Sequence, residues 1–239
     1  MMISTKSSAS SLVAIAAFFA GTTASAQSYQ CRMPKITTAP QVERDGPVRR
    51  MPVAGYTLAL SWSPEFCKPR EGQRSHALQC SGRNGRFGMV VHGFWPEGAR
   101  SWPQWCPARR KPTGAEVAGQ LCISPATRLV ARQWAKHGSC TGWPPATYFK
   151  VTNILYRSLR FPDFDRLSRE DGLTAGMLRE RFVAANPGFF ESAIGVKLNQ
   201  RGWLEELRLC YGKNFRPARC DTRRFGVPDA DEVKIWRGL

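Results

Sequence analysis

The sequence lacks two features that mark large classes of protein. No apolar run is long enough to cross a membrane as a helix, and the run 12–20 near the start is too short to do so. No Cys-x-x-Cys pair occurs, and a zinc site would depend on His137 and Cys140 without a second close pair of ligands. We therefore expect no membrane partner, no bound metal and no cofactor.

Acidic residues are also scarce, with 18 Asp and Glu against 35 Lys and Arg, for a formal net charge of +17. The basic residues are spread along the chain, for example at 49–50, 109–111 and 223–224, rather than gathered in one tail. Such a charge favours a polyanionic partner, which includes nucleic acid, anionic lipid and acidic glycans, or serves solubility alone. Charge by itself does not choose among these.

The start of the chain has the pattern of a secretory signal. The apolar run 12–20 is followed at 24–26 by Ala-Ser-Ala, the small-x-small pattern that signal peptidase cleaves. We predict a signal peptide over 1–26, an extended arm over 27–55 and one domain over 56–239. Removal of the signal would leave 213 residues and a charge of +16, a length that suits a single domain. The protein is expected to be exported to a periplasm or to the cell exterior, and to be a monomer.

Eight cysteines are present, and all of them follow the predicted signal peptide. An even number of cysteines in an exported chain favours disulfides formed in an oxidising compartment. The cysteine spacing alone leaves most of the pairing open. The eight positions are Cys31, Cys67, Cys80, Cys106, Cys122, Cys140, Cys210 and Cys220.

Strands at both ends of the domain, with helices between them, predict an α+β fold. The β-prone segment 56–62 and the buried run 87–91 predict two strands, the second halted by Gly93 and Pro96. The segments "AIGVKLN" and "WLEELRLCYG", separated by "QRG", predict a hairpin near the C-terminus. Helices are predicted over 124–137, near 145–160 and over 174–185, with Thr174 as a cap and 99–123 as a long loop.

The helix that is predicted to end at His137 carries three polar groups on one face. Gln133, Lys136 and His137 are spaced i, i+3 and i+4, which places them together at its last turn. Trp134 points about 100° away from Gln133 and is predicted to be part of the core. This helix end therefore offers an amide, an ammonium and an imidazole.

A second histidine, His92, is predicted to end a strand, beside Gly93, where a substrate or another segment can approach the backbone. Two imidazoles and a lysine are the groups that metal-free RNA cleavage needs. One imidazole removes the 2′-hydroxyl proton, the other protonates the departing 5′-oxygen, and a cation stabilises the phosphorane. Spacing does not show that the two elements meet, so a structural role for either histidine stays open.

The two histidine segments resemble a known family. "VVHGFWPEG" (90–98) is similar to the first active-site segment of the ribonuclease T2 family, His-Gly-Leu-Trp-Pro, with Phe94 in the Leu position. "RQWAKHGSC" (132–140) is similar to the second, typically His-Glu-Trp-x-Lys-His-Gly-Thr-Cys. "LSWSPEFC" (60–67) and "LRLCYGKNFRPARC" (207–220) also fit, so the resemblance covers most of 56–220. It implies a secreted or periplasmic bacterial member with a central antiparallel sheet flanked by helices and braced by disulfides.

The resemblance also implies roles for individual residues. His137 would be the general base, His92 the general acid and Lys136 the group that stabilises the phosphorane, in an endoribonuclease that cuts single-stranded RNA through 2′,3′-cyclic phosphates. Trp95 would help to place the substrate, unless it is only a packed aromatic. The chain departs from the family at Arg132, a cation that can still hold a phosphate, and at Gln133, which keeps hydrogen bonding but loses a carboxylate.

Disulfide pairs follow from the same resemblance. Cys140 matches the family cysteine that pairs with one in the loop after the first histidine segment, and Cys106 is favoured over Cys122 for this role. The remaining implied pairs are Cys67–Cys80, Cys210–Cys220 and, last, Cys31–Cys122.

Two other classes of function compete with the enzyme. A catalytically weakened polyanion-binding or antimicrobial protein on the same scaffold would use the positive charge and exposed tryptophans, but would not need His92, Lys136 and His137 together. A cysteine hydrolase using Cys140 and His137 is disfavoured because the two lie three residues apart and the sulfur is expected to be disulfide-bonded.

Overall fold

The computed structural model of the protein describes residues 1–2 and 30–238. The predicted signal peptide, apart from its first two residues, lies outside the described residues. The strands are β1 (Gly55–Trp62), β2 (Met89–Glu97), β3 (Ile194–Leu198) and β4 (Leu204–Gly212). The α-helices of the described residues are α1 (Ser63–Cys67), α2 (Ala77–Cys80), α3 (Gly114–Ala118), α4 (Thr127–Lys136), α5 (Pro145–Ser158), α6 (Phe164–Leu167), α7 (Ala175–Ala185) and α8 (Thr222–Phe225). Within the described part of the chain, no helix has the length and apolar character needed to cross a membrane.

The four strands form one antiparallel sheet in the order β2-β1-β4-β3. One face of this sheet is apolar because leucines alternate along the two central strands, where Leu58 pairs with Leu209 and Leu60 with Leu207. All four leucines are fully buried. The predicted α+β fold, with a central antiparallel sheet, flanking helices and disulfides, is confirmed, as are the first strand and the C-terminal hairpin.

The second strand differs from its prediction in a way that changes the position of His92. It begins at Met89 and continues through Gly93 and Pro96 to Glu97. The sheet tolerates this proline because β2 pairs only with β1 and is an edge strand. The register slips so that Ala59 pairs with Gly93 and the next residue, Leu60, pairs with Val91. His92 is thus the extra residue of a β-bulge within the strand, and the prediction that it ends the strand is wrong.

The three predicted helices are present. Helix α4 starts later than predicted, at Thr127 instead of Ser124, because Ala126 still has an extended backbone. It ends at Lys136, and His137 is its C-cap. The predicted loop 99–123 contains the short helix α3, which opens with a capping box in which Thr113 and Glu116 bond each other's backbone N–H.

Helix α5 fixes the edge strand from the core side. The buried Tyr148 hydroxyl donates to the carbonyl of Phe94 (2.8 Å), and the Tyr156 hydroxyl donates to that of Met89 (2.6 Å). Trp134 of α4 packs edge-on against Tyr148 and is 2% exposed, as predicted for a core residue. Strand β2 and helix α4 are therefore held against the same buried aromatic group.

Four disulfides brace these elements, in the pairs that the resemblance implies. Cys106–Cys140 joins the loop after β2 to the chain just beyond His137, and Cys31–Cys122 ties the N-terminal arm to the domain. Cross-links that close long loops restrict the unfolded chain and typically contribute about 2–4 kcal/mol each. The other two pairs are Cys67–Cys80 and Cys210–Cys220.

Candidate active site

The bulge of β2 and the C-terminal end of α4 meet around one tryptophan. The indole ring of Trp95 lies 5.2 Å from the His92 ring in an edge-on arrangement and 5.6 Å from the His137 ring, measured between ring centroids. The structure thus brings together the two histidine segments, which the sequence alone could not place side by side.

A hydrogen bond to the buried Gln133 side chain holds Trp95 in this position. Its indole Nε1 donates to Gln133 Oε1 over 2.7 Å, and Gln133 is 5% exposed. A Cβ on Gly93 would overlap both Trp95 Nε1 and Gln133 Oε1. Glycine is required at position 93 because another segment of the protein packs against the backbone there, which is one of the two reasons that the sequence suggested.

His92 has a partner that sequence reasoning missed, the carboxylate of Glu206 on β4. Nδ1 of His92 and Oε2 of Glu206 are 2.6 Å apart, and Glu206 is 5% exposed. The second oxygen of Glu206 accepts from Arg208 Nε over 2.8 Å. An acceptor on Nδ1 fixes the imidazole tautomer and leaves Nε2 as the nitrogen that can exchange a proton with a substrate.

The Glu206 carboxyl is ionised despite its burial. Burial alone would raise its pKa, but the hydrogen bond from His92 and the charges of His92 and Arg208 outweigh this and lower the pKa below its ordinary value. The site therefore contains a buried anion directly behind one imidazole.

His137 lies in a different environment from His92. It is 8% exposed, and among the described residues its buried Nδ1 has no hydrogen-bond partner. Burial and the charges of Lys136, His92 and Arg132 lower its pKa to about 3, although Asp45 acts in the opposite direction. At neutral pH the His137 imidazole is uncharged and can accept a proton.

Lys136 and Arg132 both contact an acid that sequence reasoning missed. Asp45, in the N-terminal arm, accepts a hydrogen bond from Lys136 Nζ (3.2 Å) and pairs with the Arg132 guanidinium. The indole Nε1 of Trp105 also donates to Asp45 (3.1 Å). The bond from Arg132, supported by Lys136, holds the pKa of the Asp45 carboxyl below its usual range.

The zinc and cysteine-hydrolase alternatives both need a free Cys140 sulfur. Cys140 is bonded to Cys106, so its sulfur is not a thiolate ligand or a nucleophile in this structure. Among residues 30–238, no group of three or more His, Cys, Asp or Glu side chains is arranged to hold a metal ion.

Comparison with curated proteins finds ribonucleases. The chain is 33% identical over 189 residues to a probable ribonuclease of Haemophilus influenzae, covering 73% of this chain and 63% of that protein. It is 38% identical over 109 residues to a ribonuclease of Aeromonas hydrophila (45% and 46%), and 28% identical over 132 residues to ribonuclease I of Escherichia coli (39% and 49%). The chain thus spans less than two thirds of the length of each relative. No family model matches it.

Solved structures share the fold. An RNase-related protein from Calystegia sepium superposes with a TM-score of 0.62 at 20% identity, covering 77% of this chain and 98% of that one. RNase NT, solved in complex with 5′-AMP, gives a TM-score of 0.59 at 15% identity, covering 77% and 98%. The chain is thus similar in sequence to bacterial ribonucleases and shares its fold with solved ribonuclease structures, in agreement with the resemblance of its two histidine segments to the ribonuclease T2 family.

Proposed function

We propose that this protein is an exported endoribonuclease that cleaves single-stranded RNA by transphosphorylation, without a metal, and leaves 2′,3′-cyclic phosphate ends. The observation that carries the proposal is the placement of two imidazoles against one indole, with a carboxylate behind one ring and a lysine beside the other. The ribonuclease names of the curated relatives, and the 5′-AMP bound by one fold neighbour, support the same substrate class.

His137 is the general base of the proposed reaction. Its uncharged imidazole takes the 2′-hydroxyl proton of the RNA while the 2′-oxygen forms a bond to the adjacent phosphorus. A base that is neutral well below pH 6.5 also keeps working in mildly acidic solution, so the acidic limb of the kcat/KM profile is expected below that pH.

His92 is the general acid. As the bond from phosphorus to the 5′-oxygen breaks, His92 delivers a proton to that oxygen, and the products are a 2′,3′-cyclic phosphate and a free 5′-hydroxyl. Glu206 receives the Nδ1 hydrogen of the ring and provides a counter-charge while His92 carries the proton to be donated.

Three further side chains act on charge and position. Lys136 stabilises the negative charge on the phosphorane, and Arg132 holds a neighbouring phosphate. The partly exposed Trp95 ring, fixed by Gln133, orients the nucleotide between the two imidazoles.

Export belongs to the same proposal. Four disulfides suit an oxidising compartment, which agrees with a signal peptide over 1–26 and a location in a periplasm or outside the cell. The arm 27–55 and the domain 56–239 then form the mature protein, which we propose to be a monomer.

The test is incubation of the purified oxidised protein with RNA in excess EDTA from pH 4 to 8, with analysis of the cleaved ends. We expect 2′,3′-cyclic phosphate ends, and a loss of about 10²–10⁴ in rate for His92→Ala and for His137→Ala. The third histidine, His76, packs against Phe66 outside the site, so His76→Ala serves as the matched control and should keep full activity.

If the protein cleaves no RNA at any pH in this range, the proposed ribonuclease activity is wrong and the polyanion-binding alternative is favoured. Cleavage that survives His137→Ala would overturn the assignment of the base.

A further inference from the structure

Helix α4 places two cations beside the proposed base. Arg132 and Lys136 are four residues apart and so share one side of the helix, next to His137. The helix itself has a neutral amide, Gln133, at the position where the resembled segment carries a glutamate. The acid that pairs with both cations comes instead from the arm, at Asp45.

The arm is attached to the domain at points before and after Asp45 in the chain. Arg49 and Gln104 exchange two backbone hydrogen bonds of 2.9 and 3.0 Å, and the Gln104 side chain donates to the carbonyl of Pro47 over 2.9 Å. Further toward the N-terminus, the disulfide of Cys31 fixes the start of the described arm. Asp45 is therefore anchored to the domain and is not part of a loose tail.

Trp105 links this acid to the helix. Its indole donates to Asp45, its backbone N–H donates to the carbonyl of Lys136 over 2.7 Å, and its ring lies 5.9 Å from the Lys136 ammonium. Trp105 is buried and has a φ of +55°, a left-handed conformation that a tryptophan adopts only when its surroundings impose it. The neighbouring Cys106–Cys140 bond fastens the same loop to the chain after His137.

We propose that Asp45 is a positioning residue of the active site, which holds Lys136 and Arg132 beside His137 and supplies from the arm the carboxylate that helix α4 lacks. This inference rests on the proposed ribonuclease function. Lysine has a long flexible stem, and an ammonium fixed before the reaction stabilises a phosphorane better than one that must first be ordered. The ion pair is partly exposed, so its contribution to folding is small and its effect belongs to catalysis.

A kinetic signature separates positioning from simple blocking of the site. The carboxylate competes with RNA phosphate for the same ammonium, so its removal should leave KM unchanged or lower. It should also lower kcat, because Lys136 is no longer held at the reacting phosphate. Asp45 raises the pKa of His137 against the effect of the two cations, so its removal should also move the acidic limb of the pH profile downward.

The experiment compares Asp45→Asn with wild type in RNA cleavage, with the unfolding midpoint of each protein as a check on folding. We expect kcat to fall by about ten- to a hundredfold without a rise in KM. Asp165→Asn is the matched control, since it removes the same charge from an exposed pair with Arg169 outside the site, and it should cleave as wild type does.

Two double variants test whether Asp45 acts through its partners. In a Lys136→Ala background, Asp45→Asn should have little further effect on kcat. Adding Gln133→Glu to Asp45→Asn should restore part of kcat, because it returns a carboxylate to the helix without restoring the arm contact. Absence of both effects would show a merely structural role and overturn the proposal, even if Asp45→Asn is poorly folded.

An unchanged kcat in Asp45→Asn would also overturn it, and a raised kcat would show instead that the carboxylate blocks the site. In either case the wild-type protein cleaves RNA, so the proposed function stands. A wild-type protein that does not cleave RNA overturns the proposed function and this inference with it.

Discussion

The two histidines of the site lie in opposite electrostatic surroundings. His92, on the edge strand, has a buried carboxylate 2.6 Å from Nδ1 and is partly exposed. His137, at the end of α4, is buried, has cations around it, and its Nδ1 has no hydrogen-bond partner in the described part of the chain. Acid–base catalysis needs one group that arrives protonated and one that arrives free. This contrast supports the proposal that His92, with a carboxylate behind it, is the acid and that His137, which is uncharged, is the base.

Among substitutions that remove the electrostatic difference between the two histidines, Glu206→Gln is expected to have the largest effect, because it removes the carboxylate at His92. An amide can donate to Nδ1, which favours the wrong tautomer of His92 and leaves a protonated ring without its counter-charge. We expect kcat to fall by about ten- to a hundredfold or more in steady-state RNA cleavage. Glu205→Gln is the matched control, because Glu205 is the preceding residue of the same strand and pairs with Lys197 instead. Equal rates for the two variants would contradict the role of Glu206.

Gly93→Ala tests the packing of strand β2, which carries His92, against helix α4, which leads to His137. The added methyl group overlaps Trp95 Nε1 and Gln133 Oε1, so strand and helix must separate. We expect a loss of about 1–3 kcal/mol in the free energy of unfolding, measured in denaturant, together with reduced activity. Gly119→Ala, where a Cβ meets nothing closer than 3.5 Å, should change neither. A fully active Gly93→Ala protein would mean that this packing does not position the site.

The charge state of His137 has a consequence for stability. Its folded pKa of about 3 lies below the ordinary value of 6.5, so as pH falls between these values the unfolded chain binds a proton that the folded protein does not. The stabilisation of the folded state that comes from the uncharged His137 is complete above pH 6.5. It declines as the pH falls toward 3, by up to about 1.4 kcal/mol per pH unit. Denaturant unfolding of wild type and His137→Gln at several pH values should show the steeper decline in wild type. Parallel curves would contradict the low pKa.

The smallest effect is expected from Gln133→Glu, which makes the helix region more like the strand region. A carboxylate one turn from His137 raises the pKa of that imidazole, so the acidic limb of the kcat/KM profile should move to higher pH and peak activity should rise. Gln133 Oε1 already accepts from Trp95, and a glutamate oxygen can do the same. An unchanged profile would show that this side chain does not face the site.

The sequence predicted what depends on local pattern. The β-prone segment 56–62 and the two C-terminal segments around "QRG" predict strands, and the spacing of Gln133, Lys136 and His137 predicts a shared helix face. Both predictions need only neighbours in the chain. The strands are present, and Gln133 and Lys136 lie in the last turn of α4, with His137 as the C-cap that follows it.

What the sequence could not predict arises from register and topology. The bulge at His92 arises because β2 contributes one more residue than β1 to their pairing. The sequence of neither strand reveals this extra residue by itself. Glu206 lies 114 residues from His92, and Asp45 lies 91 residues from Lys136. Each meets its partner through the order of the strands or the path of the arm. Glu206 is one of two adjacent acids in its strand, and nothing local showed that it, and not Glu205, would meet His92.

The central claim, that His92 is the acid and His137 the base, is tested most directly by changing the leaving group. A nitrophenolate departs without being protonated, whereas the 5′-oxygen of RNA needs a proton. We predict that His92→Ala loses about 10²–10⁴ in kcat/KM on dinucleotides but little on nucleoside 3′-(p-nitrophenyl phosphates), while His137→Ala loses heavily on both. Equal losses for His92→Ala on the two substrates, or the reverse pattern between the two variants, would contradict the assignment.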